Sequence, residues 1–212
     1  MLTAINQLND LKLQSTVVNA LELFYAEVRH ILPHLPQNLE IYFDHQWYLE
    51  GQGIGGFAYS PTIMTIQFDE LFPDKKLQLK YLRETVFHEA YHIAQGYTGT
   101  MPKISALEEA IYEGAATVFE REKAESEPSY GLYGSDLEMK LLLRQVKTLP
   151  QDYDLQKWKY YDPKTKQGWT IYKVGTYIID QALTLHPEKT IVDLNRMTAT
   201  EILNISGLTE VF

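Results

Sequence analysis

The sequence predicts an α+β fold in which a small sheet near the N-terminus is followed by a mainly helical C-terminal lobe. Strand-like alternation is confined to the first 70 residues, and helical spacing dominates from about residue 75 onward. No internal repeat or low-complexity run points to a solenoid or a linker array. With 212 residues, 45% of them hydrophobic, the chain is long enough to bury a core. One domain over 1–212 is expected, with an α/β lobe of about 1–97 and a helical lobe of about 98–212.

Each element has a local reason. Val17, Leu21, Phe24 and Val28 recur at helical spacing and predict a helix over residues 16–31, which Pro33 and Pro36 end. Residues 39–43, Leu-Glu-Ile-Tyr-Phe, read as a short strand. Gly51, Gly53, Gly55 and Gly56 lack the spacing of a phosphate-binding loop and read as a turn into Phe57, Ala58 and Tyr59. In residues 62–68, Met64, Ile66 and Phe68 face one way and Thr65 and Gln67 the other, as in a half-buried strand. Helices are then expected over residues 77–96, 105–124, 136–149 and 170–185, with short ones near 190–197 and 200–205. Ser105 followed by Glu108 has the form of a capping box. Residues 125–131 read as a loop. The longer stretch 150–168 carries Tyr153, Trp158, Tyr160 and Tyr161 and reads as a lid or cleft wall.

Nineteen Lys and Arg against 28 Asp and Glu give a formal net charge of -9, which argues against a polyanionic partner such as nucleic acid. There is no cysteine, so disulfides, thiolate metal sites and cysteine nucleophiles are excluded, and a metal must use His and carboxylates. The N-terminal stretch has no basic region followed by an apolar run, and no run approaches the ~18 residues of a membrane span. A cytoplasmic protein without membrane partners is expected.

The informative segment is His88-Glu89-Ala90-Tyr91-His92. On a helix, residues four apart share a face, so His88 and His92 can direct imidazole nitrogens at one zinc ion with Glu89 beside them. The composition gives this pattern only about 0.01 times by chance in a chain of this length. His30 and His34 have the same spacing, but Pro33 lies between them and no acid adjoins His30, so that pair reads as structural. Catalytic zinc usually takes three protein ligands. After His92 the only histidine is His186, whereas the next helix offers Glu108, Glu109, Glu113 and Glu120. Ala106, Glu109, Ala110, Glu113, Ala116 and Glu120 share one side of that helix, where small residues would let it approach the histidine helix. Glu120, Glu122 and Glu125 fit a solvated acidic face better than Glu113 does.

These motifs resemble the gluzincin class of zinc metallopeptidases, in which an H-E-x-x-H helix is followed by a second helix carrying a glutamate ligand. Glu113-Gly114-Ala115-Ala116 is similar to the E-G-x-A form of that second motif, found in aminopeptidase N-like enzymes and in a family of predicted zinc-dependent proteases. The resemblance implies a zincin-like fold, makes Glu113 the third ligand and makes Glu109 a carboxylate that orients a ligand imidazole. Residues 172–177, Tyr-Lys-Val-Gly-Thr-Tyr, resemble a Y-x-x-G-Y segment of those predicted proteases, with Thr176 where the second Tyr would fall. Tyr172, with Tyr177 as second choice, is the implied donor to a tetrahedral intermediate. The G-A-M-E-N-type motif of aminopeptidase N-like enzymes is absent.

The expected reaction is hydrolysis of a peptide bond in a peptide or protein substrate. Zinc on His88, His92 and Glu113 would activate a water, and Glu89 would act as general base. The strand over 62–68, as a sheet edge, is expected to pair with the extended substrate. Two alternatives share the motif: a zinc hydrolase of a non-peptide amide or ester, and a non-catalytic metal-binding interaction module. An intact Glu89 favours catalysis, since a structural site has no use for a base there.

Overall fold

The computed structural model describes residues 2–4, 8–44, 48–49 and 51–210. It is mixed α+β, with a four-stranded sheet near the N-terminus and a mostly helical C-terminal region. The chain divides into two compact units, Met1–Met101 and Pro102–Phe212. No helix among the described residues is long and apolar enough to cross a membrane.

In the first unit, β1 (Leu2–Ala4), α1 (Leu11–Ile31) and β2 (Leu39–Asp44) form a crossover unit whose two strands pair in parallel. Helix α1 starts five residues earlier than residue 16, because Asp10 accepts from the N–H groups of Lys12 and Leu13 and caps it. Its apolar stripe, Val17, Leu21 and Val28, is fully buried. Strands β3 (Ile54–Ser60) and β4 (Ile63–Phe68) form an antiparallel hairpin, and the sheet order is β1-β2-β4-β3. Gly55 and Gly56 therefore lie inside a strand, while Gly51 and Gly53 occupy the preceding turn at φ +81° and +64°.

Two strand expectations are treated differently by this topology. Met64, Ile66 and Phe68 of β4 are buried as the alternation predicts. The role of residues 62–68 as a substrate-pairing edge is overturned: β4 is held by β2 on one side and β3 on the other. The edge strands are β1 and β3. Alternation of the antiparallel ladder turns Ile54, Gly56 and Ala58 outward, and much of the β3 edge is already spent. The Ile54 carbonyl accepts from Leu49 N–H at 3.0 Å, and the Ala58 carbonyl from Gly99 N–H at 2.9 Å.

Helix α2 (Lys75–Gln95) is capped by the Asp74 side chain and stopped by Gly96, whose φ of +79° few other residues adopt. It packs on α1 and β3. Fully buried Gln78 anchors it by donating to the carbonyls of Gly53 (3.0 Å) and Asp69 (2.6 Å).

The second unit contains α3 (Ala106–Lys123), α4 (Asp136–Lys147), α5 (Thr170–Leu185), α6 (Ile191–Leu194) and α7 (Ala199–Ile205). The capping box of Ser105 and Glu108 forms as the sequence predicts. The stretch 150–168 holds a π-helical turn, Gln156–Tyr160, and a two-residue hairpin, β5 (Tyr161–Asp162) with β6 (Gln167–Gly168). Helices α3 and α5 meet main chain to main chain. A Cβ on Gly114 would fall within the van der Waals shell of the Gly175 backbone, and one on Gly175 would meet the Ala110 carbonyl oxygen. The small residues of α3 thus include two, Ala110 and Gly114, that serve close packing on α5.

Candidate active site

The H-E-x-x-H segment occupies the last two turns of α2, and both histidines lie on one face as the spacing requires. His88 and His92 are buried, with ring centroids 4.7 Å apart and ring planes at 80°. Glu89, also buried, accepts a hydrogen bond at 2.8 Å on Oε2 from the backbone N–H of Ala58 in β3. The close approach depends on Gly56: a Cβ there would lie 2.5 Å from Thr85 Cγ2 and 2.6 Å from Glu89 Cγ. The glycine that reads as part of a turn is therefore the surface on which the Glu89 side chain rests.

The turn after α2 returns to the same place. Gly96 reverses the chain so that the Tyr97 ring lies edge-on against His92, 4.9 Å between centroids. Two residues on, Gly99 N–H reaches the Ala58 carbonyl. A Cβ on Gly99 would collide with the Phe57 ring at 2.6 Å. Phe57 and Tyr59 themselves are about half exposed. Neither Tyr97 nor Gly56 stands out in the sequence as a site residue; the helix-stop Gly96 is the one local signal that the chain turns back beside His92.

In the second unit, Glu109 and Glu113 lie one turn apart on α3. Glu113 is buried, and the Lys159 ammonium donates to its Oε1 at 2.7 Å and to Glu109 Oε1 at 2.9 Å. Tyr153 donates to Glu109 Oε2 at 2.5 Å, and burial together with that carboxylate raises the phenol pKa well above its ordinary value. Glu109 thus gives both oxygens to the stretch 150–168, through Tyr153 and Lys159. Sequence reading misses these two because their partners lie 44 and 46 residues away.

Glu120 is not on a solvated face. It is 2% exposed and accepts from Ser126 Oγ at 3.0 Å and from the Tyr130 hydroxyl. The reading of that position as a solvated acid fails because residues 126–130 fold back over α3.

Tyr172 and Tyr177 are five positions apart on α5, so they point to different sides. Tyr172 is half-buried in an aromatic group, 5.2 Å from Tyr130 and 5.7 Å from Trp169 between ring centroids, with Lys159 Nζ 5.8 Å from its own centroid. Trp169 holds the left-handed conformation, φ +61°, at the start of α5, and its N–H donates to the Tyr160 carbonyl at 2.8 Å. Tyr177 is buried and donates to Asp136 at the start of α4, and burial with that partner pushes its pKa up.

The first unit thus presents two imidazoles and a carboxylate at one helix end, and the second presents a carboxylate pair beside a lysine and tyrosines. Imidazole and carboxylate are both side chains that can bind zinc. A family model described as "Predicted Zn-dependent protease" (DUF2268) matches residues 26–204, and the chain belongs to that family. No curated protein and no solved structure matches the chain.

Proposed function

We propose that the protein is a zinc metallopeptidase of gluzincin type, in which His88, His92 and Glu113 hold the metal and Glu89 is the general base. The observation that carries this reading is the buried pair His88 and His92 with Glu89 fixed beside it on Ala58 N–H. The donor set fits the metal: two imidazoles and one carboxylate are the ligands of catalytic zinc that retains an open position. Membership in a family described as "Predicted Zn-dependent protease" supports the same reading.

Zinc in such a site supplies Lewis acidity, activating water at neutral pH and polarising the scissile carbonyl. The chain's own residues do the rest. Glu89, oriented by the Ala58 N–H on its Oε2, takes the proton from water and passes it to the leaving amine. Tyr172 is the candidate hydroxyl for the developing oxyanion, since Tyr177 is committed to Asp136. The substrate is a peptide or protein. Its backbone finds the outward groups of Gly56 on β3, between the occupied positions Ile54 and Ala58.

Elemental analysis of the purified, zinc-reconstituted protein tests metal binding, with one zinc per chain expected. Glu89→Gln should retain that zinc and lose about 10²–10⁴-fold of its hydrolysis of a peptide library read by mass spectrometry. Absence of zinc, or a Glu89→Gln variant that cleaves at the unmodified rate, overturns the assignment.

A further inference from the structure

Gln95 is the last residue of α2 and has no part in the chemistry described above. It follows His88 and His92 on the same helix and, at roughly 100° per residue, falls about 20° around the axis from His88, so it belongs to the histidine face. Both polar atoms of its carboxamide, Oε1 and Nε2, are buried, and neither has a hydrogen-bond partner among the described residues. The other glutamine of α2 shows the ordinary arrangement: Gln78 donates to the Gly53 and Asp69 carbonyls and accepts from Lys75. A buried amide without such partners weakens the fold on both counts, as donor and as acceptor.

We propose that Gln95 is a substrate-binding residue whose carboxamide pairs with the backbone of one residue of an extended peptide lying against the histidine face. The inference rests on the peptidase reading and deepens it, by making the peptide backbone itself the thing recognised.

The chemistry of the side chain selects this ligand. A carboxamide offers one acceptor and one donor side by side. A residue in an extended chain turns its own N–H and C=O to the same side, which lets opposed residues of antiparallel strands exchange two hydrogen bonds. Gln95 Oε1 accepts from that N–H, and Nε2 donates to that carbonyl. An ester lacks the N–H and leaves Oε1 unpaired. The seclusion of the amide is shared by the groups a substrate has to reach, since His88, Glu89 and His92 are 6%, 8% and 4% exposed. A peptide admitted to the histidines therefore meets the face that carries Gln95. An amide held without protein partners keeps both bonds for the substrate, at the expense of stability in the free protein.

Gln95→Met, which keeps the length of the side chain and removes both polar atoms, tests the proposal in two directions. In urea denaturation of the zinc-reconstituted protein its midpoint should rise, because an apolar side chain replaces an unpaired buried amide. A lower midpoint would show that the folded protein already satisfies the amide, and overturns the proposal. With zinc content unchanged, kcat/KM for peptide hydrolysis should fall about 10- to 100-fold, as expected for two lost hydrogen bonds.

Contact is read directly by NMR of isotope-labelled, zinc-reconstituted Glu89→Gln protein, with acetyl-tetraalanine methylamide as the probe. The Gln95 side-chain amide signals, assigned by their loss when Gln95→Met is added, should shift as peptide is titrated. Signals that stay in place overturn the proposal. Replacing each peptide N–H of a cleaved substrate in turn by an ester oxygen should cost the unmodified protein about 10-fold at one position, and Gln95→Met nothing there. An ester scan that is the same for both proteins also overturns it. Failure of the unmodified protein to cleave any peptide would instead refute the peptidase reading, and the NMR titration, which needs no cleavage, still decides Gln95.

Discussion

Glu89 and Glu113 are buried carboxylates on successive helices, yet they are held by different materials. Glu89 rests across Gly56 and takes a main-chain N–H from Ala58, inside a hairpin whose register is set by β4. Glu113 takes the end of a long side chain, Lys159, delivered by a stretch whose own structure is one π-helical turn and a two-residue hairpin. A backbone donor in a sheet loses no rotamer freedom when it bonds, whereas a lysine gives up close to 2 kcal/mol of it. Glu89 is thus set by the fold of the first unit, and Glu113 of α3 by the docking of one segment in the second. Rigidity in the second unit comes instead from beneath, where Gly114 and Gly175 bring α3 and α5 into main-chain contact.

The sharpest way to break this comparison is a methyl group in each unit. At Gly175 an added Cβ meets the Ala110 carbonyl oxygen, which cannot rotate away, and Gly175→Ala should cost about 3 kcal/mol or more of stability. At Gly56 it meets the side chains of Thr85 and Glu89, which can move, so Gly56→Ala should cost about 1 kcal/mol while displacing Glu89 and, on the proposed function, lowering activity. Urea denaturation of both variants checks the order, and equal losses would mean that main-chain and side-chain contacts are equally yielding here.

The two tyrosines of α5 give the next largest contrast. Tyr172→Phe should reduce kcat about 10²-fold with little change in metal content, the loss expected for one oxyanion donor. Tyr177→Phe should leave kcat alone and destabilise by about 1 kcal/mol, because it removes one hydrogen bond to Asp136. Unchanged kcat in Tyr172→Phe would remove that residue from the mechanism.

Acid supplies the smallest and most graded comparison. Asp193, bonded by the Thr190 side chain, and Glu201, bonded by the Thr198 backbone, have pKa values below the usual carboxylate range. A carboxylate with a depressed folded pKa stabilises the fold above its unfolded value of about 4, and the benefit is lost as pH falls through the folded value. Asp136, held by Tyr177, and Asp162, held by Lys164 N–H, behave alike and lie in the same unit. Amide hydrogen exchange at pH 3 against pH 6 should therefore show α6 and α7 losing protection before β2 and β4. Earlier loss in the sheet would show that acid acts through other groups.

Much of this architecture is legible in the sequence, because the signals are local. Ser105 with Glu108 marks the start of α3, Gly96 the end of α2, and the alternation of Met64, Ile66 and Phe68 the buried face of β4. The H-E-x-x-H pair is likewise a statement about one helix face. Pairing order is not local: β4 has the pattern of a half-buried strand whether it lies at an edge or in the middle, so its central position was hidden. The same limit hides Lys159 and Tyr153, whose partners are set by where residues 150–168 come to rest. Gly56 reads as a turn residue because a glycine in a strand and a glycine in a turn look alike until a helix is placed across it.

The contact between Gly114 and Gly175 has a genetic consequence. When a large side chain intrudes on another, a second mutation can relieve it by trimming the partner. Here the opposing atoms are peptide groups, and no smaller residue exists for either helix to adopt. A lesion at one glycine should therefore yield no suppressor at the other. Rescue would have to come from changes elsewhere that let α5 slide along α3, and such a slide would carry Tyr172, one turn before Gly175, out of register with Glu113.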